Sequence, residues 1–312
     1  MTAPPLGDGN LAPLDGLLAG ITERHPLHTQ FLDRAIAFLT PQERDRLEGI
    51  LRFLLSQGHT LAYVVDCYLT VVEDTTGEQM HFFRHGEYRH KSYAEVADRV
   101  YHDRSYMDRY MYGLVLTAFL WPNHVQIARF FEKVLPTDRS GNYLEVGPGH
   151  GFFMASAAAR GSFDRLTGID ISAASISQTR ALLDHFAPGV SERCELRLAD
   201  FHEAADLQSG SFDALIMGEV LEHVENPDVF LRRLHGLARD DAFIYVTTCV
   251  NAPAIDHIFL WRTTDEIEAL IEASGFQIVE ALRLPYEGKT LEQARKQALP
   301  INVAYVLAKA GG

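Results

Sequence analysis

Two regimes of hydrophobic patterning divide the chain. From His25 to Leu135 apolar residues recur at helical spacing, first as Phe31, Ala35, Phe38 and Leu39. Thr40 followed by Pro41 and Glu43 combines an N-cap, a first-turn proline and a capping-box acid, which predicts a helix to about Gln57 with a stop at Gly58. A third helical stretch is expected from Thr60 to about Glu73. Ser92 and Glu95 suggest another capping box before a helix through Tyr101. The apolar segment Tyr106–Trp121 reads as a long helix, and Pro122 opens the next, ending near Leu135. Ahead of all these, Met1 to about Gly20 is rich in Pro, Gly and Ala and is expected to be mobile.

After Pro136 short apolar runs alternate with amphipathic stretches. Strands are predicted at Tyr143–Val146, Arg165–Ile169, Glu195–Leu198, Ala214–Met217 and Phe243–Thr247. Helices are predicted at Gly151–Arg160, Ser175–Phe186, Pro227–Ala238 and Thr264–Ser274, and a late strand pair, Phe276–Leu282 and Ile301–Ala308, flanks a short helix at Leu291–Ala298. Such alternation predicts an α/β, doubly wound, mainly parallel sheet covered by helices on both faces. The expected organisation is a helical cap over residues 1–136 and a Rossmann-like domain over 137–312.

Composition narrows the function classes. A formal charge of −14 on 312 residues disfavours nucleic acid as a partner. The apolar runs fall short of the roughly 20 residues needed to span a bilayer, and Met1–Asn10 carries no secretion signal. No membrane partner is therefore expected, and a cytoplasmic location is the default. Three cysteines without paired spacing argue against a disulfide framework or a thiolate zinc site.

Chemistry concentrates at predicted strand ends. Leu144-Glu145-Val146-Gly147-Pro148-Gly149-His150-Gly151 joins the first strand to the first helix, where glycines let the backbone approach a ligand. Dinucleotide sites want Gly-x-Gly-x-x-Gly; here Phe152 stands at the last glycine position, and Glu145 would repel a pyrophosphate while favouring a cationic ligand. Asp170, about 20 residues on, ends the second strand and can accept from ribose hydroxyls. Asp200-Phe201 follows the third strand, offering a carboxylate and an aromatic face. Gly218-Glu219-Val220-Leu221-Glu222-His223-Val224 follows the fourth.

In order and spacing these four motifs resemble those of the class I S-adenosylmethionine (SAM) dependent methyltransferases over about Asn142–Ala310. Gly218–Pro227 looks like the Glu-Val-Leu-Glu-His-Val-x-x-Pro run common in small-molecule members. The resemblance implies a seven-stranded sheet with the last strand antiparallel, and SAM as cofactor. It places Glu145, Gly147, Pro148, Gly149 and Gly151 around the methionine part, Asp170 and Ile171 at the ribose, and Asp200 with Phe201 at the adenine. Gly218 and Glu219 would lie beneath the sulfonium.

Methyl transfer is an in-line displacement that needs a positioned acceptor and, for some acceptors, a base. His223 is the expected base, with His257 and Glu219 as further catalytic candidates. Asn251, Asp256 and His257, in the loop after the fifth strand, and Tyr106, Tyr110, Trp121 and His124 of the cap are expected to shape the acceptor site. Arginines in the cap run, Arg89 and Arg109, would suit a carboxylate-bearing acceptor such as an amino acid or oxo acid. A divalent ion on His223, Asp256 and His257 is an alternative that the spacing does not demand, and no metal is assigned. The leading reading is a small-molecule methyltransferase of specialised metabolism. Methylation of a protein or tRNA, a non-catalytic SAM sensor, and a nicotinamide oxidoreductase are the competing ones. The apolar front helices would serve either a homodimer interface or packing on their own sheet.

Overall fold

The structure, a computed structural model, describes residues 12–311. Seven helices come first: α1 Pro13–Arg24, α2 Thr29–Phe38, α3 Pro41–Ser56, α4 Leu61–His85, α5 Tyr93–Ala97, α6 Arg104–Leu120 and α7 Pro122–Val134. The capping box at Thr40 and Glu43 forms as the sequence suggests. The other does not: the Glu95 carboxylate accepts from the Lys91 amide, and α5 has only five residues. Helix α4 runs past the expected Glu73 to a left-handed Gly86, because Val71, Val72 and Phe82 continue its buried stripe through Thr75-Thr76-Gly77.

Part of the N-terminal segment expected to be mobile is helical; Met1–Leu11 lies outside the described residues. In α1, Leu14, Leu17 and Ile21 face the core at helical spacing. Gly16 and Gly20, which read as loop residues, instead let α1 lie close against α4. A Cβ at either would stand 2.6 Å from Leu61 or 2.8 Å from Val65. Many apolar positions of these front helices pack within the chain, in a cluster around Leu17, Leu47, Leu51, Tyr68 and Leu116 that also takes in Leu182 of the sheet half, while Phe38, Met80 and Phe83 stay exposed.

The second half alternates: β1 Asn142–Val146, α8 Phe152–Arg160, β2 Arg165–Asp170, α9 Ala173–Phe186, β3 Cys194–Leu198, β4 Phe212–Gly218, α10 Pro227–Leu237, β5 Ala238–Val250, α11 Thr264–Ala273, β6 Phe276–Pro285, α12 Leu291–Lys296 and β7 Ile301–Lys309. The strands form one sheet in the order β3-β2-β1-β4-β5-β7-β6. Strands β1 to β5 pair in parallel, and β7 lies antiparallel between β5 and β6, the expected seven-stranded arrangement.

Both faces are covered, which explains why the strands read as near-continuous apolar runs. Leu144, Val146, Leu215 and Met217 pack on one face with α10 and α11; Tyr143, Ala214, Ile216 and Tyr245 pack on the other with Phe131 and Met154. The loops leaving β1, β2, β3, β4 and β5 therefore share one edge of the sheet, beneath α4, α6 and α7. No helix among the described residues is long and apolar enough to cross a membrane.

Candidate functional site

A cavity of about 1210 Å³ runs along that edge. One end is rimmed by Asp200 and His202 after β3, the other by Tyr286, Glu287 and Gly288 after β6. These are the two outermost strands, so the cavity crosses the whole sheet. It exceeds the roughly 300–1,000 Å³ of a typical single-ligand pocket, which leaves room for two molecules. Its charge is one-sided. Glu145, Asp170, Asp200, Glu219, Glu225 and Asp256 line it, whereas the only guanidinium among the described residues that line it, Arg34, is paired with Glu287 at 2.9 Å.

The nest at the β1 and β2 ends is built mainly by Asp170. Its carboxylate accepts from the Gly149 amide at 3.1 Å and the Ser172 amide at 2.8 Å, fastening the glycine turn to the end of β2. Gly147 (φ 66°) takes a left-handed conformation, and a Cβ there would meet Val220 at 2.8 Å. Gly151 (φ 81°) turns the chain into α8 against Thr179 and does not line the cavity. Gly147, Pro148, Gly149 and Ile171 do line it.

Glu145 is buried and accepts from the Tyr143 hydroxyl. Burial pushes its carboxyl up to about 8 and that of Asp170 up to about 6, and hydrogen bonds from the Ser172 and Gly149 amides and the charge of His223 only partly offset the latter. A ligand bringing a cation and ribose hydroxyls fits this donor set; a pyrophosphate does not. A cation beside Glu145 would pull its pKa down, so at pH 7 binding of S-adenosylhomocysteine (SAH), whose amino group is positive, should release close to one proton. Calorimetry in buffers of different ionisation enthalpy measures that proton, and Glu145→Gln should abolish it. The ligand-free fold binds more protons than the unfolded chain between about 4.5 and 8, so its stability should fall as pH rises through that window.

Phe201 is a correction. Its ring is buried away from the cavity, packed on Phe230 beneath the Arg233 guanidinium. Asp200 lines the β3 end of the cavity, and the apolar surface there comes from Ile171, Val229 and Phe230, two of them on α10 and unread in the sequence.

Beyond Gly218 the lining becomes chemically dense. Glu219 sits at φ 51°, its amide donating to the carbonyl and hydroxyl of Thr247, and its Oε1 is buried without a partner. Glu222 is fully buried. Its Oε2 accepts from Thr248 at 2.7 Å, and burial followed by the adjacent Glu219 raises its pKa. His223 directs Nδ1 at the Asp256 carbonyl, 3.1 Å away, with the Asp256 carboxylate at 3.4 Å. Tyr101, which the sequence reading assigned no role in chemistry, donates to that same carboxylate at 3.2 Å. His257 donates Nδ1–H to the Ala252 carbonyl at 2.6 Å, and burial lowers its pKa to about 3, so the ring is neutral. The expected trio His223, Asp256 and His257 does not converge on one point, since Asp256 stands behind His223. The ligand atoms that do converge belong to Glu222, His223 and His257.

The helices in front of the sheet add Tyr110, Trp121 and His124 to the lining, together with Met107, Met111 and Leu114. Tyr106 does not line the cavity; its hydroxyl donates to Asp74 at 2.6 Å. Asn251 is also turned away, its side chain donating to the Arg262 carbonyl at 3.2 Å, where it closes the loop after β5. The expected arginine clamp is absent, because Arg89 is paired with Glu78 and Arg109 with Ser105, neither of them in the lining.

Residues 144–244 match the family described as Methyltransferase domain. A ubiquinone biosynthesis O-methyltransferase of Xanthomonas axonopodis pv. citri (strain 306) is 31% identical over 111 residues, 36% of this chain and 44% of that enzyme. The chain thus spans less than half the length of the curated relatives it matches. Among solved structures, a mitomycin 7-O-methyltransferase superposes with a TM-score of 0.55 at 17% identity, over 80% of this chain and 75% of that one. The 4+2 cyclase SpnF gives 0.51 at 16%, over 62% and 83%. Structures of this fold have been solved with SAH bound. At such identities the likeness speaks for the fold alone.

Proposed function

We propose that the chain is a SAM-dependent methyltransferase whose acceptor is a small, uncharged or cationic, largely apolar molecule. One observation carries this: a single cavity joins an acidic nest shaped for a cationic nucleoside to an aromatic chamber with a cluster of imidazoles and carboxylates between them. In this reading Asp170 takes the ribose hydroxyls and Asp200 the adenine side, while Glu145 with the Gly147–Gly149 backbone holds the methionine part. SAM supplies an electrophilic methyl group. Gly218 and Glu219 lie beneath it, and the α4–α6 roof excludes water.

Proton handling falls to His223. Its Nδ1–H is committed to Asp256, which leaves Nε2 free to accept a proton from a hydroxyl or amine. The acidic lining supports a neutral or cationic acceptor over the carboxylate-bearing one that the sequence suggested. The roof over the chamber favours a small molecule over a protein or tRNA.

The test is a titration of the full chain with SAH and with NADH, followed by SAM turnover on panels of phenols, amines and carboxylic acids. Binding of SAH alone, with transfer to phenols or amines, is expected. NADH binding without SAH would overturn the assignment, and transfer confined to carboxylates would overturn the acceptor class.

A further inference from the structure

We infer that Glu219, Glu222, His223 and His257 form a binding site for one divalent first-row transition ion at the acceptor end of the cavity. Three of the four come from the loop after β4 and the fourth from the loop after β5. Ligand atoms of Glu222, His223 and His257 lie within 4.8 Å of one another, and those of Glu219, Glu222 and Cys249 do likewise, with Glu222 common to both groups.

The surroundings of the two histidines are those of ligands. His257 gives Nδ1–H to the Ala252 carbonyl at 2.6 Å, and His223 turns Nδ1 to the Asp256 carbonyl at 3.1 Å. Each imidazole is thereby fixed in the tautomer that presents Nε2, the way metal-bound histidines are oriented by an outer carbonyl or carboxylate. The rings meet edge to face at 4.7 Å. Asp256 in turn accepts from Tyr101 and keeps an unpartnered buried Oδ1.

The carboxylates lack a counter-charge. Glu222 is fully buried, touches Glu219, and receives a single hydroxyl from Thr248. Glu219 keeps its buried Oε1 without a donor. Among the described residues no lysine lines the cavity, and the one arginine that does, Arg34, lies at the rim after β6. Adjacent buried carboxylates demand either a shared proton or a cation. Two imidazoles with ligand atoms within 4.8 Å of the Glu222 carboxylate favour the cation.

Two oxygens and two nitrogens suit Mn²⁺, Fe²⁺ or Zn²⁺ better than Mg²⁺ or Ca²⁺. The thiol of Cys249 lies 3.9 Å from the Glu222 carboxylate. The site faces the cavity, so an ion there keeps a position open to the acceptor and acidifies a hydroxyl bound to it. That role, though not the binding itself, rests on the methyl-transfer reading. An imidazole ligated through Nε2 takes no proton there, so in the loaded protein His223 holds the ion instead of acting as the base.

The experiment uses the full chain after chelator treatment and gel filtration, titrated calorimetrically with Mn²⁺ and with Zn²⁺, with the visible spectrum of added Co²⁺ reporting coordination. One equivalent of ion should bind. The isosteric Glu222→Gln and the His257→Ala variants should each lose at least about 100-fold in affinity. His85→Ala, which breaks an exposed histidine pair on α4, should lose nothing. SAH titration of every variant reports whether the nest is intact. Absence of saturable uptake, or uptake indifferent to Glu222→Gln, overturns the metal site and leaves a proton shared by the two glutamates. Failure of SAH to bind while the ion still binds overturns the methyl-transfer reading instead.

Discussion

Asp170→Asn should lower SAH affinity by about one to two orders of magnitude while leaving the fold in place. The carboxylate accepts from two backbone amides, Gly149 and Ser172, with lone pairs left over for a ribose. An amide side chain has one oxygen, so one of those buried N–H groups would face an NH₂ group. The unmet donor weakens the fold by about 1–3 kcal/mol with or without ligand, whereas the lost charge-assisted bonds to ligand hydroxyls cost binding about 1.5–3 kcal/mol. Stability should respond differently. Burial raises the Asp170 pKa to about 6, so its ionisation destabilises the ligand-free fold as pH rises from 3.8 through 6. The variant escapes that penalty, and its thermal midpoint at pH 8 should match or exceed that of the parent. Unchanged SAH affinity would remove Asp170 from the nest.

Gly113→Val should damage the acceptor end and spare the cofactor end. Gly113 lies where α6 crosses α4, and a Cβ there would stand 2.2 Å from the Cys67 carbonyl oxygen and 2.6 Å from Val71. Backbone does not yield as a flexible side chain does, so the two helices must separate. Overpacking of this kind costs roughly 3 kcal/mol, which for a chain of this size lowers the midpoint by about 5 °C. These helices form the roof through Val71, Val72, Gln79, Tyr110, Met111 and Leu114. Turnover with acceptor should therefore fall steeply while SAH still binds, since the nest sits on the sheet loops. An unaltered midpoint would show that the crossing tolerates a side chain.

The sheet was legible because both its faces are buried, which writes each strand as a run of apolar residues ending in a polar turn. Gly147, Gly149, Asp170, Asp200 and Gly218 could be placed for the same reason: each follows directly from a strand end. What lay beyond that rule misled. Asp200 and Phe201 are neighbours, yet the turn after β3 sends one to the cavity and the other under Arg233; no periodicity specifies that parity. Gly16 and Gly20 looked like punctuation and are contact points between helices. Glu222 was visible three residues after Glu219 in the same short run, but its burial depends on Thr248 and on the loop after β5. The link from Tyr101 to Asp256 joins residues 155 apart and leaves no local trace.

A passage that runs from one margin of a sheet to the other, with exposed Asp200 and His202 at one end and exposed Tyr286 and Glu287 at the other, has a kinetic consequence. The nucleoside would be exchanged at the Asp200 and His202 rim, while the acceptor enters past Arg34 and Tyr286, six strand spacings or about 29 Å away. Neither molecule blocks the other's way out. Turnover should thus follow random order of addition and release, and a spent nucleoside can leave while the methylated product is still seated.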